Sequence, residues 1–412
     1  MIRKVKTILR DWWDREWNFS RPYERLYLLI IAVGVVYTFL EIFLKFGNPG
    51  VKFGIEDIIP FLRDQISYNA PDLVKRYFPY VWAIVALSCY SFRVYMIIAS
   101  YFSSMKAFNP QNFQRDLVVY LSAGLMALAS VFLLFRLIGF IFWLSGHDYM
   151  TGVHLVQIFI EKCRLFVNAY VPTIVNLPYP VALLSILMGL TLSSLSGYFV
   201  HWLTHQSRFL WLTTHRPHHL PEMLHPLGAP LAFNFDFLLV IPSLIFNVLF
   251  TKLFYADSLI LETTIILIFY YHFEIYNHMA THYDISFRNK LVRFFCDITG
   301  SGIYHYMHHT SEEGKDAVNL GGGMFLIWDR IFGTYAQPPA IKPNTGLTNT
   351  PTVIMNPFRV NFSGFAQLWY ELKHNRDFKT RWRIIFGSIW YIPPHTKEYL
   401  ITGYPSQKKN PA

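Results

Sequence analysis

Four short stretches of the sequence decide its interpretation: His201-Trp-Leu-Thr-His205, His215-Arg-Pro-His218-His219, His278-Met-Ala-Thr-His282 and His305-Tyr-Met-His308-His309. They alternate between two spacings, HxxxH and HxxHH. Residues four apart in a helix lie one turn above each other on the same face, so each stretch directs its outer two imidazoles toward one point. In HxxHH the middle histidine points aside, toward a second centre or a supporting position.

The four stretches together predict a metal site. Two further histidines in this region, His225 and His272, lie outside the repeated spacing, and for them we keep the interpretation of ordinary core or surface residues. Ten polar rings buried without partners would be costly, so the repeated histidines indicate ligands. Because one ion takes about four to six ligands, ten imidazoles predict two metals close together.

The composition is typical of a membrane protein rather than a soluble enzyme. Of the 412 residues, 53% are hydrophobic, 18% aromatic and only 15% charged. The net charge of +10 is not gathered in a stripe with interleaved aromatics, so we expect no nucleic-acid partner and attribute it to basic flanks of membrane spans. Cys89, Cys163 and Cys296 are far apart and predict neither a disulfide framework nor an iron–sulfur cluster.

Apolar segments predict the membrane topology. Residues 1–25 carry charges of both signs, which excludes a secretory signal and indicates an interfacial helix or a solvated surface helix. Residues 237–251 and 263–273 predict two spans or a shallower hairpin. With a cytoplasmic N-terminus, all four histidine stretches return to the cytoplasmic side. Four earlier spans are predicted at residues 26–44, 77–105, 117–144 and 179–200.

These features predict an all-α integral membrane protein with a histidine-rich dimetal site on one side of the membrane. Within the second histidine stretch, Pro217 disfavours helix at Arg216, and we expect a new helix to begin at Pro217. The membrane would be the cell inner membrane in a bacterium or the endoplasmic reticulum in a eukaryote.

The order of the histidine stretches resembles the fatty acid hydroxylase/sterol desaturase superfamily of integral-membrane, non-haem di-iron oxygenases. The phrase Asn319-Leu-Gly-Gly-Gly-Met-Phe-Leu-Ile-Trp328-Asp329-Arg330-Ile-Phe-Gly333-Thr334-Tyr335 is similar to the segment that closes this domain in sterol desaturases and alkylglycerol monooxygenase. The resemblance assigns residues 179–336 to a fatty acid hydroxylase-like domain. Residues 1–178 would then be the interfacial helix and spans, and residues 337–412 a cytosolic C-terminal tail.

The resemblance implies a transmembrane core of four helices under a cytosolic helical cap that holds the histidine-rich dimetal site. It also implies that the metals are two irons, with zinc as a possible substitute, that O2 is the cosubstrate and that a membrane lipid is the substrate. No catalytic residue is assigned beyond the ligands. The second nitrogen of each ring should find an acceptor that fixes its tautomer, and Asn277, Glu274 and Asp329 are the candidates. The implied ligands are His201, His205, His215, His218, His219, His278, His282, His305, His308 and His309.

The sequence carries no haem, flavin or nicotinamide motif, so an external reductase or electron carrier is implied. Lys373, Lys379, Arg381 and Arg383 form its candidate docking face, with a solvated or lipid-contacting face as the alternative. Three functions stay open: a lipid hydroxylase, a sterol or acyl-lipid desaturase with the same di-iron site, and a zinc-dependent membrane hydrolase or metal carrier. The absence of HExxH disfavours the hydrolase, and ligands at the ends of spans disfavour the carrier.

Overall fold

The computed structural model describes residues 12–46, 58–146, 165–226, 249–266, 278–279, 283–311, 317–346 and 356–396, apart from short gaps within these ranges and a few isolated positions. Within them the chain is helical and forms no strand, in agreement with the predicted all-α class. The helices that matter for the site are α1 (Pro22–Phe46), α2 (Ile58–Asp64), α3 (Asp72–Ala107), α4 (Pro110–Leu144), α5 (Tyr179–Gln206), α6 (Arg208–Leu210), a π-helical turn (Trp211–His215), α7 (Arg216–His219), α8 (Tyr283–Arg288), α9 (Lys290–Thr299), α10 (Ile303–His308), α11 (Ile327–Phe332), α12 (Pro357–His374) and α13 (Phe378–Phe386).

Several of these helices begin where the sequence supplies a capping side chain. Asn109 accepts hydrogen bonds from the backbone of Gln111 before α4, and a proline occupies the first position of that helix. Asn356 caps α12 in the same way, accepting from Phe358 N–H at 2.9 Å. A side-chain acceptor followed by proline satisfies the first orphan amide and pre-sets the helical backbone.

The long helices form a core in which α1 packs on α4, α4 on α3, and α3 on α5. Two of them, α3 and α5, are long and apolar enough to cross a membrane, and they coincide with the spans predicted at residues 77–105 and 179–200. Only 11% of the most apolar part of α3 is buried. An apolar surface of this length suits lipid rather than water. For α1 and α4 the spans stay predictions, because the side chains of residues 37–46 and 127–135 lie outside the described part.

The helix α5 has its histidines at one end and a packed cluster at the other. At its beginning, the Tyr179 hydroxyl donates to Glu262 at 2.8 Å, and the Tyr255 hydroxyl lies 3.1 Å from Ser67. His201 is about 33 Å away along the helix, at 1.5 Å per residue. The chain therefore turns near Tyr255 at the end opposite to the histidines. The two apolar runs predicted as spans or as a shallower hairpin, residues 237–251 and 263–273, lie mostly outside the described residues.

The C-terminal part of the chain packs on the segment that carries the second histidine stretch. Helix α12 lies against the π-helical turn and α4, and α13 lies against α6. At the start of α12, Phe358 contacts the rings of Trp12 and Trp17, with centroids 5.9 and 5.7 Å apart. The expected C-terminal tail thus contains two helices that join the N-terminal residues to the site.

Candidate metal centre

Nine of the ten predicted ligands form two adjoining groups of imidazoles. Within each group the candidate ligand nitrogens all lie within 4.8 Å of one another. The tenth, His282, lies outside the described residues. The first group is His201, His205, His215, His219 and His308, and the second is His218, His278, His305 and His309.

Helical spacing explains how the groups form. His201 and His205 lie one turn apart at the end of α5, and both belong to the first group. In each HxxHH stretch the outer two histidines share a group, whereas the middle one crosses to the other. His218 therefore joins the second group and His308 the first. Of the two alternatives for the middle histidine, the geometry agrees with the first, because the ring joins the opposite group of imidazoles.

The crossed arrangement brings the two groups into direct contact. The ring of His219 in the first group stacks on that of His309 in the second, with centroids 4.3 Å apart and planes at 25°. His215 of the first group and His218 of the second have centroids 5.3 Å apart. Two ions held by these groups would share one buried compartment.

The backbone around Pro217 differs from the prediction. Arg216 is helical (φ −53°, ψ −42°) and its N–H donates to the Trp211 carbonyl five residues earlier. The prediction that helix is disfavoured at Arg216 is therefore wrong. A proline interrupts the α-helical hydrogen-bond ladder because it lacks an N–H, and here a π-helical turn absorbs the interruption without ending the helix. Such turns are frequent at functional sites.

The hydrogen-bond geometry of the first group cannot be satisfied by the imidazoles alone. His215 Nε2 lies 3.0 Å from His201 Nε2 and also 3.0 Å from His219 Nε2. A ring nitrogen either donates or accepts, so one Nε2 cannot donate to one neighbour while accepting from the other. The second group repeats the conflict, since His305 Nε2 lies 3.3 Å from His278 Nε2 and 3.1 Å from His309 Nε2. A cation that accepts all these lone pairs resolves the conflict.

The spacing of the nitrogens also fits a metal. Two ligands at right angles around an ion, each bonded at about 2.1 Å, lie about 3.0 Å apart, which matches the shortest distances in the first group. Both ring nitrogens of His205 and Nε2 of His308 are buried without a hydrogen-bond partner within the described residues. Unpartnered buried nitrogens are costly unless they are ligands.

Burial also keeps the imidazoles neutral. Desolvation, followed by the neighbouring histidines, lowers the pKa of the rings beyond the end of α5 well below 6.5. A neutral imidazole has a lone pair that can bind a metal. The rings in question are His215, His219, His278, His305, His308 and His309.

Two main-chain carbonyls fix tautomers in the first group. His201 Nδ1 donates to Leu320 O at 2.6 Å, and His308 Nδ1 donates to Val318 O at 2.9 Å. Each ring is thereby left with its Nε2 lone pair directed into the group. The expected carboxylate or amide acceptor is not what these two rings use: Asp329 contacts neither ring, and Asn277 and Glu274 lie outside the described residues.

Asp329 instead holds the carbonyl loop, which we define as residues 318–321. Its carboxylate accepts from Leu320 N–H at 2.6 Å and Gly321 N–H at 2.7 Å, and also from the Thr334 hydroxyl at 2.6 Å. A Cβ at Gly321 would lie 2.6 Å from Asp329 Oδ2, so only glycine allows this approach. The carboxylate fixes the backbone whose carbonyl orients His201.

Asn319 fixes the same loop from the other side. It adopts a left-handed conformation (φ 53°), which asparagine tolerates better than most residues. Its side-chain amide donates to Tyr304 O at 3.2 Å and Ala336 O at 3.0 Å. Because Tyr304 precedes His305, Asn319 ties the carbonyl loop to the helix that carries the fourth histidine stretch.

The comparison with known families agrees with this arrangement. Residues 186–334 match the family model described as fatty acid hydroxylase. This segment belongs to the fatty acid hydroxylase family. The match begins within α5 and ends just after Asp329, so it includes all four histidine stretches and the carbonyl loop. No solved structure matches the chain.

The fatty acid hydroxylase segment is held from outside by α12 and α13, which we call the C-terminal clamp. Arg216, within the second histidine stretch, donates to Gln367 at 3.1 Å and to Ser363 at 2.7 Å. Arg208 makes a two-pronged ion pair with Glu371, at 2.6 and 2.8 Å, with both side chains 0% exposed. The clamp therefore fixes the segment on both sides of His215.

The closest approach in the clamp needs a glycine. A Cβ at Gly364 would overlap the carbonyl oxygen of Leu212 in the π-helical turn. Above this contact, Trp211 is buried and its ring packs against His205 and His219, with centroids 5.1 and 5.3 Å apart. This packing excludes water from one side of the first group.

The histidines outside the repeated spacing take other positions. His225 is buried between the rings of Tyr101 and Phe113, with centroids 6.4 and 5.8 Å away, and belongs to neither group. His374 is exposed and stacks on Tyr370 at 4.0 Å. His272 lies outside the described residues.

Sequence reasoning missed the groups that support the ligands. Main-chain carbonyls such as those of residues 318 and 320 leave no signature in a sequence. Asp329 lies in the segment of residues 319–335 that resembles the family, but an aspartate there does not reveal that it binds the backbone of the carbonyl loop. For Arg216 the sequence offers one hint, an arginine inside a histidine stretch. For Glu371 the hint is an acidic residue inside a half-apolar helix.

Proposed function

We propose that the protein is a membrane-bound di-iron oxygenase that hydroxylates a lipid, using O2 and electrons from a separate donor. Its support is the pair of adjoining imidazole groups within a fatty acid hydroxylase segment. The proposed substrate is a fatty acyl, alkyl or sterol-like lipid of the membrane.

The number of ligands favours iron over zinc. Structural and catalytic zinc sites are nearly always built on four ligands, or on three with one open position, whereas five histidines converge in the first group. Imidazole nitrogen suits ferrous iron, which accepts up to six ligands and can keep a position open. When bound, a pair of irons supplies the reduction of O2 and the oxidation of an unactivated C–H bond.

The protein supplies position and an apolar environment. The carbonyls of Val318 and Leu320 hold His308 and His201 with their Nε2 lone pairs directed inward, and Trp211 shields the same group from water. A preorganised ligand set needs little rearrangement during turnover. Exclusion of water protects the oxidation from side reactions.

The position of the first histidine stretch supports a lipid substrate. Helix α5 is apolar enough to cross a membrane and ends in His201 and His205. On its last turns Phe199, Trp202 and Leu203 remain partly exposed. A chain entering sideways from the bilayer would meet these side chains before the imidazoles, without passing through water.

The balance of the reaction requires an electron donor. Hydroxylation consumes one O2, two electrons and two protons, and gives one alcohol and one water. We propose that the electrons come from a separate reductase or carrier on the cytoplasmic side, where the topology predicted from the sequence places all four stretches. Cysteines introduced at Ser207 and Ser311 should then be labelled from the same, cytoplasmic side of sealed vesicles. Labelling of the two from opposite sides would contradict a shared site.

An isotope experiment tests the function. Membranes that contain the protein, a reductant and ¹⁸O2 should give a lipid product with one ¹⁸O atom, and His219→Ala should give none. A lipid lighter by two hydrogens and without ¹⁸O would indicate the desaturase. Oxygen taken from labelled water without any reductant would indicate a hydrolase and overturn the proposal.

A further inference from the structure

Helix α13 exposes a stripe of aromatic side chains. Phe378, Trp382 and Phe386 are 79%, 55% and 59% exposed, and their spacing of four places them on one face of the helix. Neighbouring rings touch, with Trp382 and Phe386 centroids 4.4 Å apart. The opposite face carries Ile384, which is fully buried in a cluster with Trp211. The helix thus has two apolar faces, of which only one is covered by the protein.

Basic side chains border this stripe. Lys379 and Arg383 are exposed and lie four residues apart, beside the aromatic side chains around the helix. Lys373 and Arg376 add two exposed positive charges just before α13, and Asp377 is the acid at its N-terminus, where it caps the helix. An aromatic face with a cationic border is typical of helices that lie in a membrane interface.

The position of α13 in the protein matches the depth of a membrane interface. Its capping residue Gly387 accepts a hydrogen bond from Arg208 N–H at 3.0 Å, and Arg208 is two residues beyond the end of the candidate span α5 at Gln206. The helix therefore lies level with the end of a membrane-crossing helix. Bilayers place tryptophan and basic side chains at this level, between the hydrocarbon and the head groups.

We propose that α13 rests in the plane of the membrane as an anchor of the C-terminal clamp, with Phe378, Trp382 and Phe386 in the lipid and the basic side chains on anionic head groups. The continuity with α5 and the charge complementarity select a lipid surface as the occupant. The anchor lies outside the fatty acid hydroxylase segment and does not depend on the proposed reaction. Through Arg208 and Glu371 it would hold the second histidine stretch at a fixed depth.

Spin labels on the full-length protein in nanodiscs test the anchor. Trp382→Cys places a label on the stripe, and His374→Cys places the control on an exposed residue at the end of α12 that is not part of the basic border. Each is compared with the chain lacking the introduced cysteine, so that the signal of native thiols is subtracted. We expect the label at position 382 to collide several-fold more with O2, which concentrates in lipid, than with a water-soluble nickel chelate, and the control to show the reverse.

The lipid composition and a charge variant test the basic border. Replacing part of the phosphatidylcholine by phosphatidylserine should deepen the label at position 382, and Lys373→Glu with Lys379→Glu should remove that difference. Equal nickel accessibility of both labels in both kinds of nanodisc would overturn the proposal. Shielding of position 382 only after a small acidic electron-transfer protein is added would also overturn it, and would show a protein-docking face instead.

Discussion

The substitution Asp329→Asn tests the residue that holds the carbonyl loop while leaving every imidazole ligand unchanged. The carboxylate accepts from two main-chain N–H groups of the carbonyl loop, at 2.6 and 2.7 Å, with one oxygen for each. Asparagine has the same shape but only one oxygen. Its amide nitrogen must therefore face one of the two N–H groups, donor against donor.

The magnitude follows from these bonds. A hydrogen bond to a charged group contributes about 1.5–3 kcal/mol, and a buried donor left without a partner costs about 1–3 kcal/mol. One bond is lost and the other loses its charge, so the loop should be destabilised by about 2–5 kcal/mol. Only part of this destabilisation affects the orientation of His201, which depends on the hydrogen bond to the Leu320 carbonyl. Loss of such outer support typically lowers metal affinity about 10–100-fold.

The assay is a titration of purified, metal-free protein with ferrous iron under anaerobic conditions, next to a thermal unfolding curve without metal. The matched control is Asp297→Asn, because Asp297 is a partly exposed acid that pairs with Arg330 at 2.6 Å and does not touch the carbonyl loop. We expect weakened iron binding in Asp329→Asn and unchanged binding in Asp297→Asn.

The reasoning would be refuted if Asp329→Asn bound both irons as tightly as the unchanged protein. A loss of thermal stability with intact metal affinity would show that Asp329 stabilises the fold without orienting His201. Gly321→Ala gives a second check, because its Cβ would lie 2.6 Å from the same carboxylate and 2.5 Å from the Phe325 carbonyl oxygen, and would displace the carbonyl loop without altering the charge of Asp329.

The other predictions concern the ligands, the metal count and the clamp. His219→Ala should abolish turnover while the protein stays in the membrane, whereas the exposed His374→Ala should remain active; the reverse pattern in a lipid-product assay would contradict the site. Anaerobically loaded protein should contain about two irons per chain by elemental analysis, and a value of one with full activity would exclude the dinuclear centre. Gly364→Ala should lower the unfolding temperature and the activity together, because its Cβ overlaps Leu212 and overpacking costs about 1–3 kcal/mol or more; Gly197→Ala, which has nothing within 4 Å of its Cβ, is the control.

The two imidazole groups could be anticipated because helical spacing is a local property. HxxxH fixes which rings share a face whatever the rest of the chain does, and this places His201 with His205. HxxHH separates its middle histidine from the other two for the same reason. The sequence left open whether that ring reaches a second centre, because the answer depends on how α7 and α10 face each other.

The helical break expected at Arg216 shows where a local rule fails. The rule for the residue before proline describes its steric preference in an ordinary α-helix. The π-helical turn, together with the side-chain bonds of Arg216 to Gln367 and Ser363, holds this residue in a helical conformation. Those partners lie about 150 residues further along the chain, so no inspection of neighbouring residues could find them.

The C-terminal clamp extends the metal site beyond the matched family segment. A buried ion pair such as that of Arg208 with Glu371 is weak evidence for stability, because desolvation offsets most of the attraction. Its value lies in position, since a two-pronged pair fixes both distance and orientation. Arg208 and Arg216 stand on either side of His215, and both are held by residues of α12. The matched family segment supplies the nine described imidazoles of the two groups, but the geometry of its second histidine stretch is set by a helix beyond its boundary.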